Sequence, residues 1–168
     1  MSDTLPTRLP PHAGYSAYFR VRHYEMDALG HVNNAVYLHY LEQAAIQHSA
    51  AIGYSGEHLA ALGGLFIARR HEIDYLHPAI AGDLLQVVTW ASEMTGARAL
   101  REYAILRRDL PEDGHVPADS VLTAGAASPG DLIARARTVW VWIGMADGRP
   151  RRIPVELRGA FLATQTDT

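Results

Sequence analysis

One segment of the chain, EMDALGHVNNAVYLHYLE at 25–42, concentrates the side chains best suited to chemistry, namely Glu25, Asp27, His31, Asn33 and Asn34. It connects a predicted strand to a predicted buried helix, whose first backbone N–H groups point outward at the positive end of the helix dipole. Such donors stabilise an oxyanion without any side-chain cation. Asp27 precedes the first helical turn and can face them. A carboxylate opposite these donors suits acyl transfer, because it can attack a carbonyl or activate water.

Each of these residues also has a purely structural interpretation. Asp27, three residues before Gly30, can be a turn residue that binds its own backbone, and His31 can simply shape the helix entry. Glu42 lies beside the apolar stripe of the helix and can be a solvated or partner-facing carboxylate. The nine histidines include no pair at i, i+4 spacing with the glutamate of a helical zinc site, so no metal site is predicted.

The composition excludes several other chemistries. The chain has no Cys, and all 15 basic residues are Arg, which excludes disulfides, thiolate zinc sites, Cys nucleophiles, Schiff bases and P-loop lysines. The net charge of −3 does not favour nucleic acid or an anionic membrane as a partner. The N-terminus lacks the apolar core of a signal peptide, and the longest mostly apolar stretch, 59–68, is about half of a membrane span. We therefore expect a soluble, cytoplasmic protein.

The elements that must position segment 25–42 follow from periodicity. Alternation with period two predicts a strand over 15–24. Apolar residues at three- and four-residue steps then predict a long helix with Asn33 as its N-cap and Gly53 as its C-terminal stop. Further strands are predicted at 65–76, 84–94, 98–108 and 132–143, and short helices at 56–62 and 154–162. The result is an α+β fold in which one long helix cannot cover both faces of a five-stranded sheet, so an exposed face or edge favours self-association.

The domain organisation is simple. A chain of 168 residues is long enough for one domain, which we place at 15–162. Residues 1–14 contain three prolines and are predicted to form a flexible N-terminal tail, and residues 163–168 a C-terminal tail. Within the domain, 109–130 mixes Pro, Gly, Asp and Ser without periodicity and is predicted to be a long inserted loop.

The 25–42 motif resembles the entry to the central helix in hotdog-fold acyl-CoA thioesterases of the 4-hydroxybenzoyl-CoA thioesterase type. The matching residues are Asp27, Gly30, His31, Val32, Asn34, Tyr37, Leu38 and Glu42. The likeness continues more loosely through Ile73–Pro78, Gly82, Asp83, Tyr103 and Thr138–Trp140, and covers about residues 15–160. It implies a five-stranded antiparallel sheet wrapped around one long central helix.

The resemblance also implies roles for individual residues. Asp27 matches the catalytic carboxylate, which acts as nucleophile or general base, and Asn34 matches the position whose backbone N–H polarises the thioester carbonyl. His31 and Glu42 are assigned to substrate binding, with Glu42 near the acyl end of the pocket. The implied reaction is hydrolysis of an acyl-CoA thioester to free acid and CoA, with no cofactor beyond the CoA of the substrate. The implied assembly is a homo-oligomer, a dimer or a dimer of dimers, with active sites at the subunit interface.

The CoA phosphates and the alternative functions are less sharply defined. Arg70 and Arg98 are the candidates for the phosphates, because guanidinium groups match phosphate in geometry and charge. The same site would also serve an acyl-ACP thioesterase, which would favour a basic rim for its acidic carrier. A hotdog hydratase or dehydratase would pair a carboxylate with a histidine, as Asp27 and His31 superficially do. A non-catalytic module that binds acyl ligands is a further alternative, although such a binder gains little from a carboxylate facing a thioester.

Overall fold

The computed structural model describes residues 14–122 and 131–162, which form one sheet with three α-helices. The strands are β1 (Gly14–Arg20), β2 (Gly64–Tyr75), β3 (Leu84–Thr95), β4 (Arg98–Arg108), β5 (Ser120–Leu122) and β6 (Asp131–Gly144). The helices are α1 (Asn34–Ala51), α2 (Gly56–Ala61) and α3 (Val155–Leu162), and a single 3-10 turn spans His23–Glu25. The predicted tails lie outside the described residues, except for Gly14, which begins β1. No helix of the described ranges is long and apolar enough to cross a membrane.

The long helix α1 begins and ends where the sequence predicts. The Asn33 side chain caps its start by accepting a hydrogen bond of 2.9 Å from the N–H of Ala35. At its other end Ile52 is the C-cap, and Gly53 has a φ of 93°, a conformation that residues with a Cβ adopt rarely.

The sheet is antiparallel with the strand order β2-β6-β4-β3-β1-β5. The prediction of a five-stranded sheet around a helix is thus confirmed in architecture but misses β5, which lies inside the predicted 109–130 loop and pairs with β1 through Tyr15 and Val121. Asp119 anchors this short strand, since its carboxylate accepts from the Tyr18 N–H at 2.9 Å and from Gln47 Nε2 of α1 at 3.0 Å. Three residues are too few to reveal a period of two, and residues 123–130 lie outside the described ranges.

One face of the sheet packs on α1 and forms the main core. The helix contributes four buried residues to it, Tyr37, Tyr40, Leu41 and Ala44, and the sheet contributes Leu85, Val87, Tyr103, Ile105 and Ile133. The opposite face carries ion pairs between neighbouring strands, Arg137 with Glu102 at 3.1 Å and Arg135 with Asp74 at 2.9 Å. Because β4 is buried from Ala99 to Leu106, its charged residues Arg101 and Glu102 are inside the protein on opposite faces of the strand.

Candidate active site

Asp27 lies in a tight turn that its own carboxylate organises. Met26 and Val32 form an isolated antiparallel bridge, and between them Asp27 Oδ1 accepts hydrogen bonds from the N–H groups of Leu29 at 2.8 Å and His31 at 3.1 Å. The Asp27 N–H in turn donates to the His31 carbonyl at 2.7 Å. The turn therefore uses one carboxylate oxygen and leaves Oδ2 without a hydrogen-bond partner among the described residues. Asp27 can therefore be both a turn residue and a catalytic one, because Oδ1 holds the turn while Oδ2 is available for chemistry.

Backbone hydrogen bonds to Ala79 and Glu25 hold the Asp27 turn against the rest of the molecule. The Val32 N–H donates to the Ala79 carbonyl at 2.8 Å, and the Asn33 N–H donates to the Glu25 carbonyl at 2.9 Å. Glu25 is itself buried, and its Oε2 accepts from the Tyr40 hydroxyl at 2.7 Å and from the Arg22 N–H at 2.7 Å. Burial first, and then the bond to Glu25, raise the pKa of Tyr40, so its hydroxyl stays a donor. We infer that Glu25 is a positioning residue; the sequence singled out Glu25 but could not show its bond to Tyr40, which is 15 residues away.

The start of α1 offers a backbone donor beside this turn. The N–H groups of Ala35 and Val36 are already bonded to the side chain and carbonyl of Asn33, each at 2.9 Å. The N–H of Asn34 has no acceptor within the described part of the chain, so it remains available to a ligand at the positive end of the helix. From the other side the Tyr75 hydroxyl donates to the Asn34 carbonyl at 3.0 Å. This bond ties the helix start to the end of β2.

The two residues assigned to substrate binding lie at different distances from Asp27. His31 is half-buried, and its backbone closes the Asp27 turn as described above. Glu42 is exposed, two turns along α1 from Asn34, or about 12 Å at 1.5 Å per residue. It faces β2, where its charge raises the pKa of His71 against the larger, lowering effect of burial. The structure thus brings Asp27, His31 and Asn34 together and places Glu42 further along the same helix.

Neither arginine assigned to CoA joins Asp27 within one protomer. Arg70 is on the sheet face that points away from α1 and pairs with Glu72 at 2.5 Å. Arg98 begins β4 at the hairpin next to Gly96, whereas the Asp27 turn lies at the opposite end of β3, near Asp83 and Ala79. The twelve residues of β3 separate these ends by about 36 Å. Both assignments stay predictions.

An open cleft of about 510 Å³ is lined by Glu25, which precedes the Asp27 turn in the chain, and it adds a residue that sequence reasoning did not single out. Phe19, Tyr40 and Val36 form its apolar part, and Arg22 lies at its rim with 64% of its side chain exposed. The Arg22 guanidinium is 3.6 Å from Glu25 and lies over the ring of Tyr24. It is a cation next to Glu25, the residue whose carbonyl holds Asn33. Its only sequence signal was its place next to the 25–42 segment.

No group of three or more His, Asp or Glu side chains is placed to hold a metal ion in the described ranges. The groups that the described residues present at this site are one carboxylate oxygen of Asp27 and the backbone N–H of Asn34.

Comparison with known proteins shows which family the chain belongs to. A family model described as the thioesterase-like superfamily matches residues 21–161. Acyl-CoA thioesterase YbgC of Haemophilus influenzae is 35% identical over 149 residues, which cover 88% of this chain and 94% of the relative. Long-chain acyl-CoA thioesterase FadM of Escherichia coli is 31% identical over 107 residues, which cover 62% of this chain and 76% of the relative.

Solved structures agree with these relatives. A thioesterase complexed with coenzyme A and Zn from Thermus thermophilus superposes with a TM-score of 0.67 at 28% identity, over 89% of this chain and 98% of the other. A 1,4-dihydroxy-2-naphthoyl-CoA thioesterase from Synechocystis shares the fold, with a TM-score of 0.69 at 19% identity, over 88% of this chain and 95% of the other. The narrower 4-hydroxybenzoyl-CoA type is not singled out among these matches and stays a prediction. The chain belongs to the thioesterase-like superfamily and has its hotdog fold.

Proposed function

We propose that the protein hydrolyses acyl-CoA thioesters to the free acid and CoA, with Asp27 as the catalytic carboxylate. The observation that carries the proposal is the arrangement at the start of α1, where Asp27 keeps one free carboxylate oxygen and the Asn34 N–H is a free donor. Relatives named acyl-CoA thioesterases at 35% and 31% identity support the substrate class. CoA is part of the substrate, and the proposal includes no separate cofactor and no metal. The expected compartment is the cytoplasm.

The reaction has two possible routes, which use the same groups. In both, the thioester oxygen accepts a hydrogen bond from the Asn34 N–H, which stabilises the negative charge that develops on it. In the first route Asp27 attacks the carbonyl carbon, the C–S bond breaks to release the CoA thiolate, which takes up a proton, and water hydrolyses the resulting anhydride. In the second, Asp27 takes a proton from the water that attacks the carbonyl carbon, and that proton passes to the leaving sulfur.

The substrate needs more than one protomer to be held at both ends. Within one protomer His31 adjoins Asp27, Arg22 lies next to Glu25, Glu42 lies further along α1, and Arg70 and Arg98 lie elsewhere, as described above. Strand β2 is 12 residues long and pairs on one side only, with β6, among the described residues. We propose that two copies join through their β2 edges into a homodimer, the assembly that would set Arg70 or Arg98 of one copy nearer the site of the other. Dimers of this kind can pair again into a tetramer.

A thiol-release assay over straight-chain and aromatic acyl-CoAs tests the activity. We expect free thiol with at least one substrate class for the wild type, and a rate lower by about 10²–10⁴-fold for Asp27→Asn. The matched control is Asp113→Asn, because Asp113 also accepts a backbone N–H two residues ahead, that of His115, but in an exposed loop away from the site. Undiminished hydrolysis by the Asp27 variant would contradict the assignment.

Related assays with other substrates distinguish hydrolysis of acyl-CoA from the three alternative functions. Faster release from acyl-ACP than from acyl-CoA would identify a carrier-protein thioesterase, as named for plant relatives of 27% and 24% identity. Hydration of enoyl-CoA without thiol release would identify a hydratase, and tight binding of many acyl-CoAs without turnover a binding module. Sedimentation analysis tests the assembly, for which a monomeric mass at micromolar concentration would contradict the shared β2 edge.

A further inference from the structure

A second, apolar cavity of about 170 Å³ lies at the far end of α1 from Asp27. Its wall comes from α1, α2, α3 and the adjoining ends of four strands, and includes Ile46, Leu59, Leu65, Phe66, Met94 and Phe161. His48, beside this cavity, is 14 residues after Asn34 in α1, which places it about 21 Å further along the helix axis. The cavity is therefore separate from the Asp27 turn.

One charged side chain, that of Arg101, lines this apolar wall. Arg101 is only 7% exposed. Its Nη1 donates to the Thr89 hydroxyl at 3.1 Å and lies 3.0 Å from His48 Nδ1, and its guanidinium lies over the ring of Phe161 at 5.3 Å. Phe161 and Tyr15 also pack on the ring of His48, one edge-on and one stacked. These contacts hold the guanidinium in one orientation.

Among the residues that the structure describes, the positive charge of Arg101 has no carboxylate partner. His48 is neutral, because burial first, and the charge of Arg101 next, lower its pKa to about 2. Its Nδ1 therefore accepts the bond from Arg101, and Thr89 is uncharged. The neighbouring carboxylate, Glu102, is on the opposite face of β4 and pairs with Arg137 at 3.1 Å. Within residues 14–122 and 131–162, no carboxylate oxygen lies within 4 Å of the Arg101 guanidinium.

Such an arrangement is costly for a protein to maintain without a ligand. An arginine stays protonated even when buried, and a buried charge is normally paired. Hydrogen bonds from Nη1 to a neutral ring and a hydroxyl leave the Nε and Nη2 donors without a partner among the described residues. A planar guanidinium with donors free along one side matches a carboxylate, which it can bind through two parallel hydrogen bonds.

We propose that this cavity binds an aliphatic chain that ends in a carboxylate, with the carboxylate on Arg101 and the chain against the apolar wall. Two sources share this chemistry. One is a free fatty acid, and the other is an acyl thioester whose far end carries a second carboxylate. The proposal goes beyond the proposed hydrolase activity and does not depend on it, since the ligand can bind whether or not Asp27 is catalytic.

Binding of eight-carbon probes tests the proposal without any turnover. Octanoate, 1-octanol and octylammonium have the same chain and differ in the end group, and a ligand that binds only the native state raises Tm. We expect calorimetry and thermal unfolding to show octanoate binding at least tenfold more tightly than 1-octanol, and no binding of octylammonium. Arg101→Gln should lose this preference for octanoate and keep the affinity for 1-octanol. The matched control is Arg158→Gln, an exposed position on α3, which should behave as the wild type.

Binding of the three probes to the wild type tests the proposal even if Arg101→Gln does not fold, because comparing the end groups needs no variant. Equal affinity for octanoate and 1-octanol, or an unchanged preference in a folded Arg101→Gln variant, would overturn the proposal and show Arg101 to be structural. Asp27→Asn should bind octanoate as the wild type does, so a failed hydrolase assay and a failed binding assay are distinguishable. Once binding is shown, the source follows from a ratio of kcat/KM values, that for a long-chain ω-carboxyacyl-CoA over that for the plain acyl-CoA of the same length, with a chain long enough to span the roughly 21 Å from Asn34 to the cavity. A ratio that falls in Arg101→Gln indicates the thioester, and a constant ratio the free acid.

Discussion

The Tyr40 hydroxyl of α1 donates a hydrogen bond of 2.7 Å to the buried carboxylate of Glu25, the residue whose backbone carbonyl holds Asn33 at the start of the same helix. The bond links the middle of the helix to the loop that leads into it. It therefore fixes the position of the Asp27 turn relative to the helix donors.

Removing this hydrogen bond should weaken both the fold and the site. In Tyr40→Phe the Glu25 carboxylate loses its side-chain donor inside the protein, which we expect to lower the free energy of unfolding by about 1–3 kcal/mol. Thioester hydrolysis should fall as well, because the loop that carries Asp27 loosens. Urea unfolding and thiol release measure the two effects. Tyr24→Phe is the control, since Tyr24 is 77% exposed beside the same loop, and equal stabilities of the two variants would argue against the role given to Tyr40.

Two Asp27 variants should distinguish the structural role of this carboxylate from its catalytic role. Asparagine keeps an oxygen that can accept from the Leu29 and His31 N–H groups, so Asp27→Asn should unfold within about 0.5 kcal/mol of the wild type. Alanine loses both bonds and should cost about 1 kcal/mol or more. We expect kcat to fall by about 10²–10⁴-fold in both variants, the range that a general base contributes. If only Asp27→Ala lost activity, the carboxylate would be a turn residue and not the catalytic group.

The neutral His48 predicts a loss of stability in acid. Its pKa in the folded protein, about 2, lies below the ordinary value of 6.5, so the unfolded chain binds the proton first as the pH falls. Stability is fully present above pH 6.5 and is lost below it, at about 1.4 kcal/mol per pH unit for this residue alone. Urea unfolding at pH 7.5, 6.5 and 5.5 should show a shallower slope for His48→Gln than for the wild type. His39→Gln, an exposed position on the same helix, is the control, and equal slopes for His48→Gln and the wild type would contradict the prediction.

Two glycines should respond oppositely to a methyl group. A Cβ on Gly64 would lie 2.5 Å from the Trp142 ring and 2.6 Å from the Ile143 carbonyl oxygen, so Gly64→Ala should destabilise by about 1–3 kcal/mol. Gly159 lies inside α3, and a Cβ added there would meet nothing within 4 Å, so Gly159→Ala should stabilise by about 0.5–1 kcal/mol. Thermal unfolding of both variants checks the difference. A neutral Gly64→Ala would mean that the Trp142 ring moves freely.

Local patterns predicted most of the fold, because strand alternation and helix capping are local. The bounds of β4 match the prediction to the residue, and Asn33 and Gly53 mark the ends of α1 as predicted. The first strand ends at Arg20 instead of continuing to Tyr24, because a 3-10 turn begins at His23 and the Glu25 side chain bonds the Arg22 N–H. An alternating pattern cannot reveal this side-chain bond.

The site was less predictable, because its partners are distant in sequence. Asp27, His31 and Asn34 could be proposed as candidates because they lie within one short segment, and their roles stay predictions. Arg101 could not, because its environment depends on His48, which is 53 residues away, and on a helix at the C-terminal end of the domain. Alternation placed Arg101 on one face of β4 but could not show that this face is buried, or that no described carboxylate lies next to the guanidinium.

The two edges of the sheet are unequal, and this limits how copies can associate. Strand β2 offers 12 residues for pairing, whereas β5 offers three, anchored by Asp119 to β1 and α1. Association through β2 uses the long edge of both copies at once and leaves only short edges at the two ends of the joined sheet. If copies associate in the way proposed, growth stops at two sheets, and this edge geometry opposes the open-ended stacking of strands that leads to fibres.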